Sequence, residues 1–391
     1  MIPYARQSID DDDVASVVEV LRSDWLTQGP AIERFEHALT QYCGAAHAVV
    51  MSSATAALHA ACAALDLGPS DTLWTSANSF VASANCALYC GASVDFVDID
   101  PRTYNMSVED LERKLVAAQS SGTLPKIVLP VHFAGQPADM EAIAALARRY
   151  GFKIIEDASH AIGAADGAAR VGACRYADVT VFSFHPVKII TTGEGGAALT
   201  NDVRIAQRLA LFRSHGITRD PSLMEGTTDG PWAYEQIGLG YNYRMTDIQA
   251  ALGHTQLARI DAFIERRRGI AALYDRLLAD MPIGRPWRDP RMASAFHLYP
   301  VRVPERRRVF EALQAEGIRV NVHYMPIYLQ PYYRHRGFAA GYCPQAERYY
   351  SEAISLPMYV ELRDEQVERV ALSLKHILAG AVGRAISFQL S

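Results

Sequence analysis

Lysine is scarce in this chain. Of 38 basic residues only five are lysines, Lys114, Lys126, Lys153, Lys188 and Lys375. Cysteine is sparse as well: six residues in 391, with no C-x-x-C pair. That excludes a disulfide framework and speaks against a zinc ribbon or a thioredoxin-type site, and no metal is expected. Cys86 and Cys90, four apart on an expected helix, read as small buried apolar residues. Excess positive charge is missing too. The formal net charge of −5 would not steer the chain to nucleic acid or to an anionic membrane. The two stretches without formal charge, 37–65 and 72–94, are broken by Ser, Asn, Thr and His, so they read as buried elements rather than membrane spans. The opening MIPYARQSIDDDD turns acidic before any apolar run; no signal peptide and a cytoplasmic location are expected.

What is present is a regular alternation. HAVVM (47–51), DTLWTS (71–76), SVDFVDID (93–100), KIVLPV (126–131), FKIIED (152–157), DVTVFSF (178–184) and GAALTN (196–201) read as strands. Helical patterns such as ATAALHAACAAL, FVASANCALYCG and MEAIAALARRYG separate them. Such an order predicts an α/β fold with a mainly parallel sheet covered on both faces. Right-handed crossovers would then gather all the strand C-termini at one edge, where ligands bind. From Thr246 to about Asp280 one long helical pattern follows, then MPIGRPWRDP. Beyond it, strand candidates HLYPVRV and IRVNVHY flank the helix RRRVFEALQAEG. A large domain over 1–247, with its N-terminal segment, and a smaller α+β domain over 248–391 are expected.

The lysines sort by position. Lys114 and Lys375 fall on polar helix faces and read as exposed. Lys126 and Lys153 open strands at the edge opposite the ligand edge. Lys188 alone follows a strand C-terminus, in VFSFHPVKIITTGEGG, among apolar neighbours. A lysine is ordinarily a solvated surface cation. Desolvation lowers its pKa and makes the amine a nucleophile toward carbonyls, which points to a Schiff-base lysine. An aldehyde cofactor such as pyridoxal phosphate would need an anion cup, a carboxylate at its ring nitrogen and a stacking partner. SSAT (52–55) lies between a strand and a helix, where free N–H groups attract an anion, though it also reads as a simple N-cap. Asp157 ends its strand at the ligand edge; a turn residue is the plainer reading. Phe80 could cover a ring or pack in the core. His160 could meet the ring hydroxyl region or be structural, and Ser183 could add a phosphate donor.

Taken in order, SSATAAL (52–58), NSFVASAN (78–85), EDASHAIG (156–163), FSFHPVKIITTGEGG (182–196) and GYNYRMTDIQAALG (240–253) resemble the fold-type I pyridoxal-phosphate enzymes. Among these the resemblance is to the DegT/DnrJ/EryC1/StrS sugar aminotransferases, from LTQGP (26–30) to ISLPMY (354–359). It implies that Lys188 carries the cofactor as a Schiff base and acts as general acid and base. It also implies that Asp157 pairs with the ring nitrogen, that Phe80 stacks on the ring and that Ala54, Thr55 and Ser183 hold the phosphate. Many relatives have Gln where this chain has His160. Asn242 would reach the phosphate of a neighbouring subunit, implying a homodimer with shared active sites.

FSFHPVKIITTGEGG, FRSHGI and VNVHYMPIY are most similar to a subgroup that aminates C4 of a UDP-linked 4-keto hexose with L-glutamate, on the route to pseudaminic acid. By that resemblance the sugar nucleotide meets Tyr4, Asp24, Trp25, Leu26, Thr27, Asn321, Val322, His323 and Tyr324, and also Ala54, Ser183 and Asn242. Arg244 is a candidate for the glutamate carboxylate, with helix-start packing as the equal alternative. Three other readings stand beside this one: amination of a GDP- or dTDP-linked keto sugar, a sugar dehydratase on the same fold, and a cofactor-bound regulator. Related dehydratases have His in place of the Schiff-base lysine, and the chain has no basic DNA-binding element.

Overall fold

The computed structural model describes residues 1–167, 169–226 and 230–388, side chains from 380 onward excepted. Seven strands form the main sheet: β1 (His47–Met51), β2 (Thr72–Ser76), β3 (Ser93–Val97), β4 (Ile127–Leu129), β5 (Lys153–Asp157), β6 (Val179–Ser183) and β7 (Gly196–Thr200). Their order is β1-β7-β6-β5-β4-β2-β3. The pairs β2–β3, β2–β4, β4–β5 and β5–β6 are parallel. β7 runs antiparallel to both of its neighbours, β1 and β6. The expectation that every strand would end at one edge is therefore corrected. β7 begins there, and Gly196 lies opposite both Met51 and Ser183.

Both sheet faces are buried because the strands carry apolar residues at successive positions. Val49, Met51, Leu73, Phe96, Ile155 and Val181 pack toward α3 (Ala54–Ala64) and α4 (Ala82–Tyr89). On the opposite face, Val50, Phe182 and Leu199 meet α2 (Pro30–Cys43) and α8 (Asp247–Ala258). Trp74, Val97, Val128 and Ile154 meet α5 (Val108–Ser121) and α6 (Met140–Tyr150). At the ends of the set lie α1 (Asp11–Leu21) and α7 (Val203–Arg213).

The long helical pattern of 246–280 is in fact two helices, α8 and α9 (Ile260–Leu277), broken at Arg259. The Arg259 guanidinium pairs with Asp10 at 2.6 Å and with Asp13, which ties the break to the start of α1. The expected domain division falls at the start of α8. The apolar side chains of α8 and of the first turns of α9 share a core with α2, and those from Ile270 onward belong to a separate core. That second core also takes in Ile2, β8 (Tyr299–Arg302), α10 (Arg306–Ala315), β9 (Ala353–Leu356) and α11 (Asp364–Phe388).

β8 pairs antiparallel with β9, and IRVNVHY, expected as a strand, forms none. The segment 318–324 makes only single bridges, Ile318 to Ile2 and Asn321 to Ser355. At Asn321 it lies antiparallel beside β9, exchanging both backbone hydrogen bonds with Ser355. Arg267 on α9 is 1% exposed and has no carboxylate partner among the described residues. Its Nη1 donates to the carbonyls of Phe296 (3.2 Å), His297 (3.3 Å) and Met358 (3.2 Å). Burial pushes this guanidinium down to about 10.

α2 begins at Gly29 without a cap of its own. Asp247 supplies one from α8: its fully buried carboxylate accepts from Gly29 N (2.8 Å) and Ala31 N (3.0 Å). A Cβ at Gly29 would lie 2.7 Å from that carboxylate, so the close approach requires glycine. Asp247→Ala leaves two buried donors unpaired and is expected to cost about 3 kcal/mol, read as a lowered denaturant midpoint. An unchanged midpoint would contradict the capping role.

Candidate active site

The edge where β5 and β6 end and β7 begins opens into a cavity of about 440 Å³. Twelve of the expected residues line it: Tyr4, Ala54, Thr55, Phe80, Asp157, His160, Ser183, Lys188, Asn321, Val322, His323 and Tyr324. The first eight sit on the main sheet's elements, Tyr4 excepted, and the last four on the extended segment 318–324. Tyr4 is carried there by the N-terminal strap, whose Ile2 and Tyr4 backbones pair with Gly317, Arg319 and Met358.

Lys188 sits in a tight loop after β6. Its N–H donates to His185 O at 2.8 Å, and the loop is closed by Phe184 N to Gly195 O and Thr192 N to Phe184 O. Ile189 and Ile190 anchor it in the core under α8. Lys114, Lys126 and Lys153 each pair with a carboxylate, Asp95, Asp71 and Asp178 respectively. Lys114 is thereby largely buried rather than exposed as expected. Lys188 makes no such pair among the described residues. Burial pushes its amine down to about 8, against the opposing pull of Asp157.

Asp157 is 5% exposed and held on both oxygens. Ser83 Oγ donates to Oδ2 at 2.7 Å, and Ser159 N donates to Oδ1 at 3.1 Å. Ser83 is in turn bonded to Ser79 at 2.7 Å. Glu156 points to the other face, where Thr180 Oγ1 donates to it at 2.5 Å. At the far end of the cavity α3 begins. Ser53 Oγ caps it by accepting from Ala56 N, and the N–H groups of Ala54 and Thr55 have no partner among the described residues at the positive end of the helix. Ser183 lies beside them on β6. A Cβ at Gly196 would stand 2.4 Å from Ala54 N, so only glycine lets β7 reach this helix start. Phe80 is 58% exposed at the cavity rim, with its ring 6.5 Å from that of Tyr324.

His160 is buried, and its Nε2 meets the Tyr324 hydroxyl at 3.1 Å. His323 is also buried, with Nδ1 on Ser355 Oγ at 2.8 Å. Burial first, then the charge of Lys188, pushes both rings down, His323 to about 3.

Asp24, Trp25, Leu26 and Thr27 do not line this cavity. They are exposed, with Thr27 bridged to Thr246. Asn242 is exposed and bridged to Ser214, and Arg244 is bridged to Met51; neither lines the cavity either. Sequence reasoning missed Ser79, Ser83, Ser159, Glu194 and His297. The i, i+4 spacing of Ser79 and Ser83 around Phe80 was the available signal for the first two. Nothing local marks His297.

A buried amine, a fixed carboxylate, two helix N–H groups beside hydroxyls and a rim aromatic fit an aldehyde-bearing phosphorylated ring. Residues 7–375 match the DegT/DnrJ/EryC1/StrS aminotransferase family. The chain belongs to that family. Its members are pyridoxal-phosphate enzymes of fold-type I, and this chain has their fold and their cofactor. It is 36% identical over 389 residues to the spore coat polysaccharide biosynthesis protein SpsC of Bacillus subtilis, covering 97% of this chain and 98% of SpsC. Helicobacter pylori PseC, an aminotransferase of pseudoaminic acid biosynthesis, superposes with a TM-score of 0.88 at 31% identity, covering 97% of this chain and 99% of PseC. Spr1654 of Streptococcus pneumoniae, solved in its PMP form, gives 0.88 at 29% identity, with 96% and 99% covered. Among the described residues no helix is long and apolar enough to cross a membrane, and no cluster of His, Cys, Asp or Glu could hold a metal.

In cofactor-free protein, alkylation of Lys188 should rise through a midpoint near pH 8, because the amine is protonated and unreactive below it. A fully solvated lysine in a model peptide, by contrast, follows a value of ~10. Peptide mass spectrometry across pH measures the Lys188 midpoint, and a value near that of the model peptide would contradict its desolvation.

Proposed function

We propose that this sugar aminotransferase moves an amino group from L-glutamate to C4 of a UDP-linked 4-keto-6-deoxy-N-acetylhexosamine, as on the route to pseudaminic acid. The observation that carries this reading is one cavity. It joins Lys188 and Asp157, on the main sheet's elements, to Tyr4 on the N-terminal strap and to Asn321, His323 and Tyr324 on the segment 318–324. The likeness to PseC supports the choice of sugar, and an amino group on C4 of another nucleotide-linked keto sugar is the alternative to be tested.

In this reading Ala54 N, Thr55 and Ser183 hold the cofactor phosphate at the start of α3. Asp157, fixed by Ser83 and Ser159, holds a proton on the ring nitrogen, and Phe80 covers the ring. Bound there, pyridoxal phosphate supplies an electron sink for the carbon being deprotonated. Lys188 Nζ takes the proton from the α-carbon of glutamate and in the second half delivers one to sugar C4. An amine near 8 can do both at neutral pH, since neither of its protonation states is costly to reach. Tyr4, Asn321, Val322, His323 and Tyr324 form the wall that meets the sugar nucleotide. Asn242, exposed on the surface, reaches the phosphate in the partner of a homodimer, and Asp24, Trp25, Leu26 and Thr27 adjoin the same face through the Thr27–Thr246 bridge.

Lys188→Ala is expected to abolish the visible absorbance of the lysine-bound cofactor and to lower turnover by at least about 10³-fold. Retention of the wild-type band in that variant would remove Lys188 from its role. UDP-, GDP- and dTDP-linked 4-keto sugars offered with glutamate, with the product identified by NMR, test the substrate. Turnover confined to a GDP- or dTDP-linked sugar would overturn the UDP assignment.

A further inference from the structure

Of the two cysteines four apart on α4, Cys86 is fully buried, and its thiol donates to Ser83 O at 3.3 Å. Cys90 departs from the expectation of a buried apolar residue: it caps the C-terminus of α4 and is partly exposed. α3 packs against α4, and its His59 and Cys62, three apart, share a face. The Cys62 thiol, fully buried, lies within hydrogen-bonding reach of those of Cys86 and Cys90. His59 is 4% exposed and reaches Cys90 as well. Its Nδ1 is bonded to the Tyr243 hydroxyl at 3.1 Å, which leaves Nε2 for the Cys90 sulfur.

Aromatic rings hold this imidazole in place. Those of Tyr89, Phe212, Tyr241 and Tyr243 lie 5.3, 5.0, 5.1 and 5.9 Å from it. The titratable groups around Cys90 are therefore His59 and Cys62 on α3, Cys86 and Tyr89 on α4, and Tyr241 and Tyr243 before α8. The hydrogen bond from Cys62 pulls the Cys90 thiol below its ordinary value; burial opposes this, and His59 adds to the lowering. Burial pushes Cys62 the other way. Cys43, Cys174 and Cys343 are buried, and burial raises all three. The thiolate is the nucleophilic form of cysteine. An accessible thiolate beside a second cysteine is the arrangement in which oxidation ends in a disulfide.

We infer that Cys90 is a site of reversible oxidation by hydroperoxides, with Cys62 as its resolving partner and His59 as the group that holds the thiolate. The Cys90 thiolate attacks one oxygen of the peroxide and the O–O bond breaks. The other oxygen takes up the proton that the thiol had given to His59 and leaves, as water when the oxidant is hydrogen peroxide. Cys62 then attacks the oxidised Cys90 sulfur, an S–S bond forms, and the sulfenic hydroxyl leaves as water with the Cys62 proton. Two thiols lose two electrons and one peroxide gains them. Cys86, turned to the Ser83 carbonyl, stays reduced. The new bond ties α3 to α4, the helices whose first turns carry Ala54, Thr55 and Ser83. Neither step involves the cavity at Lys188.

The test treats the reduced holoenzyme with one equivalent of hydrogen peroxide and maps its thiols by peptide mass spectrometry. A disulfide between Cys62 and Cys90, reversed by dithiothreitol, is expected. Cys90→Ser should abolish it, and Cys62→Ala should leave Cys90 as a sulfenic acid that dimedone captures. A second measurement needs no variant. The rate of Cys90 alkylation by iodoacetamide should change by less than about threefold between pH 6 and pH 8, where an ordinary thiol changes by roughly 75-fold. His59→Phe, which keeps a ring among the aromatics, should slow that alkylation at pH 6 by about tenfold. A Cys90 that is neither oxidised nor alkylated in the native protein overturns the inference, as does alkylation with the pH dependence of an ordinary thiol. Oxidation of Cys90 in the wild-type protein without a bond to Cys62 overturns the resolving role of Cys62. An unchanged rate in His59→Phe removes His59 from its role.

Discussion

Keeping a lysine amine out of water, with the Asp157 carboxylate pulling against its burial, is the demand to which the rest of this molecule answers. Burial lowers the charge-holding power of Lys188, while Asp157 pulls the other way, and the balance leaves the amine at about 8. More carboxylates would have made it an ordinary ion pair, like those of Lys114, Lys126 and Lys153. Additional cations nearby are equally excluded. The three imidazoles in this region, His160, His297 and His323, are all pushed to the neutral form, with burial as the main cause and the lysine charge adding to it. The polar groups thus act here as oriented dipoles and leave the net charge to the ligand.

That demand is met by a sheet with one strand reversed. The parallel strands β5 and β6 bring Asp157 and Ser183 to the edge, and the loop after β6 returns to begin β7 at the same edge. The turnback places Lys188 between the two strands that flank the cavity. It also brings Gly196 against the start of α3, so the anion cup and the amine are set by the same few residues. The small domain contributes no catalytic amine or acid in this scheme. It lines the cavity with the extended segment 318–324, bridged to β9 at Ser355.

Much of this was legible in the sequence. Apolar runs located all seven strands, and the placement of five lysines along them singled out Lys188. The direction of β7 was not legible, because GAALTN reads the same in either orientation. The break at Arg259 was hidden as well: nothing in the helical periodicity is interrupted there, and it depends on Asp10 and Asp13, remote in the chain. IRVNVHY has the composition of a strand, yet it makes only isolated bridges, to Ile2 and to Ser355. The neighbourhood of His160 depends on Ala134, His297 and Tyr324, from three separate segments, and no local pattern encodes such a meeting. Asp24 to Thr27 and Asn242 are surface residues in a single chain, whose chemistry depends on what lies opposite them.

Arg267 bears on how ligands can enter. Its guanidinium, shut away from solvent, is satisfied by carbonyls on two segments, 296–297 and 358, that belong to the small-domain side. The first of these segments carries His297 against His160. Prying the halves apart along this seam would strand a buried cation, at a cost of several kcal/mol. The seam is a strut and not a hinge. Phe80, 58% exposed, marks the open side of the cavity that this packed framework leaves for ligands.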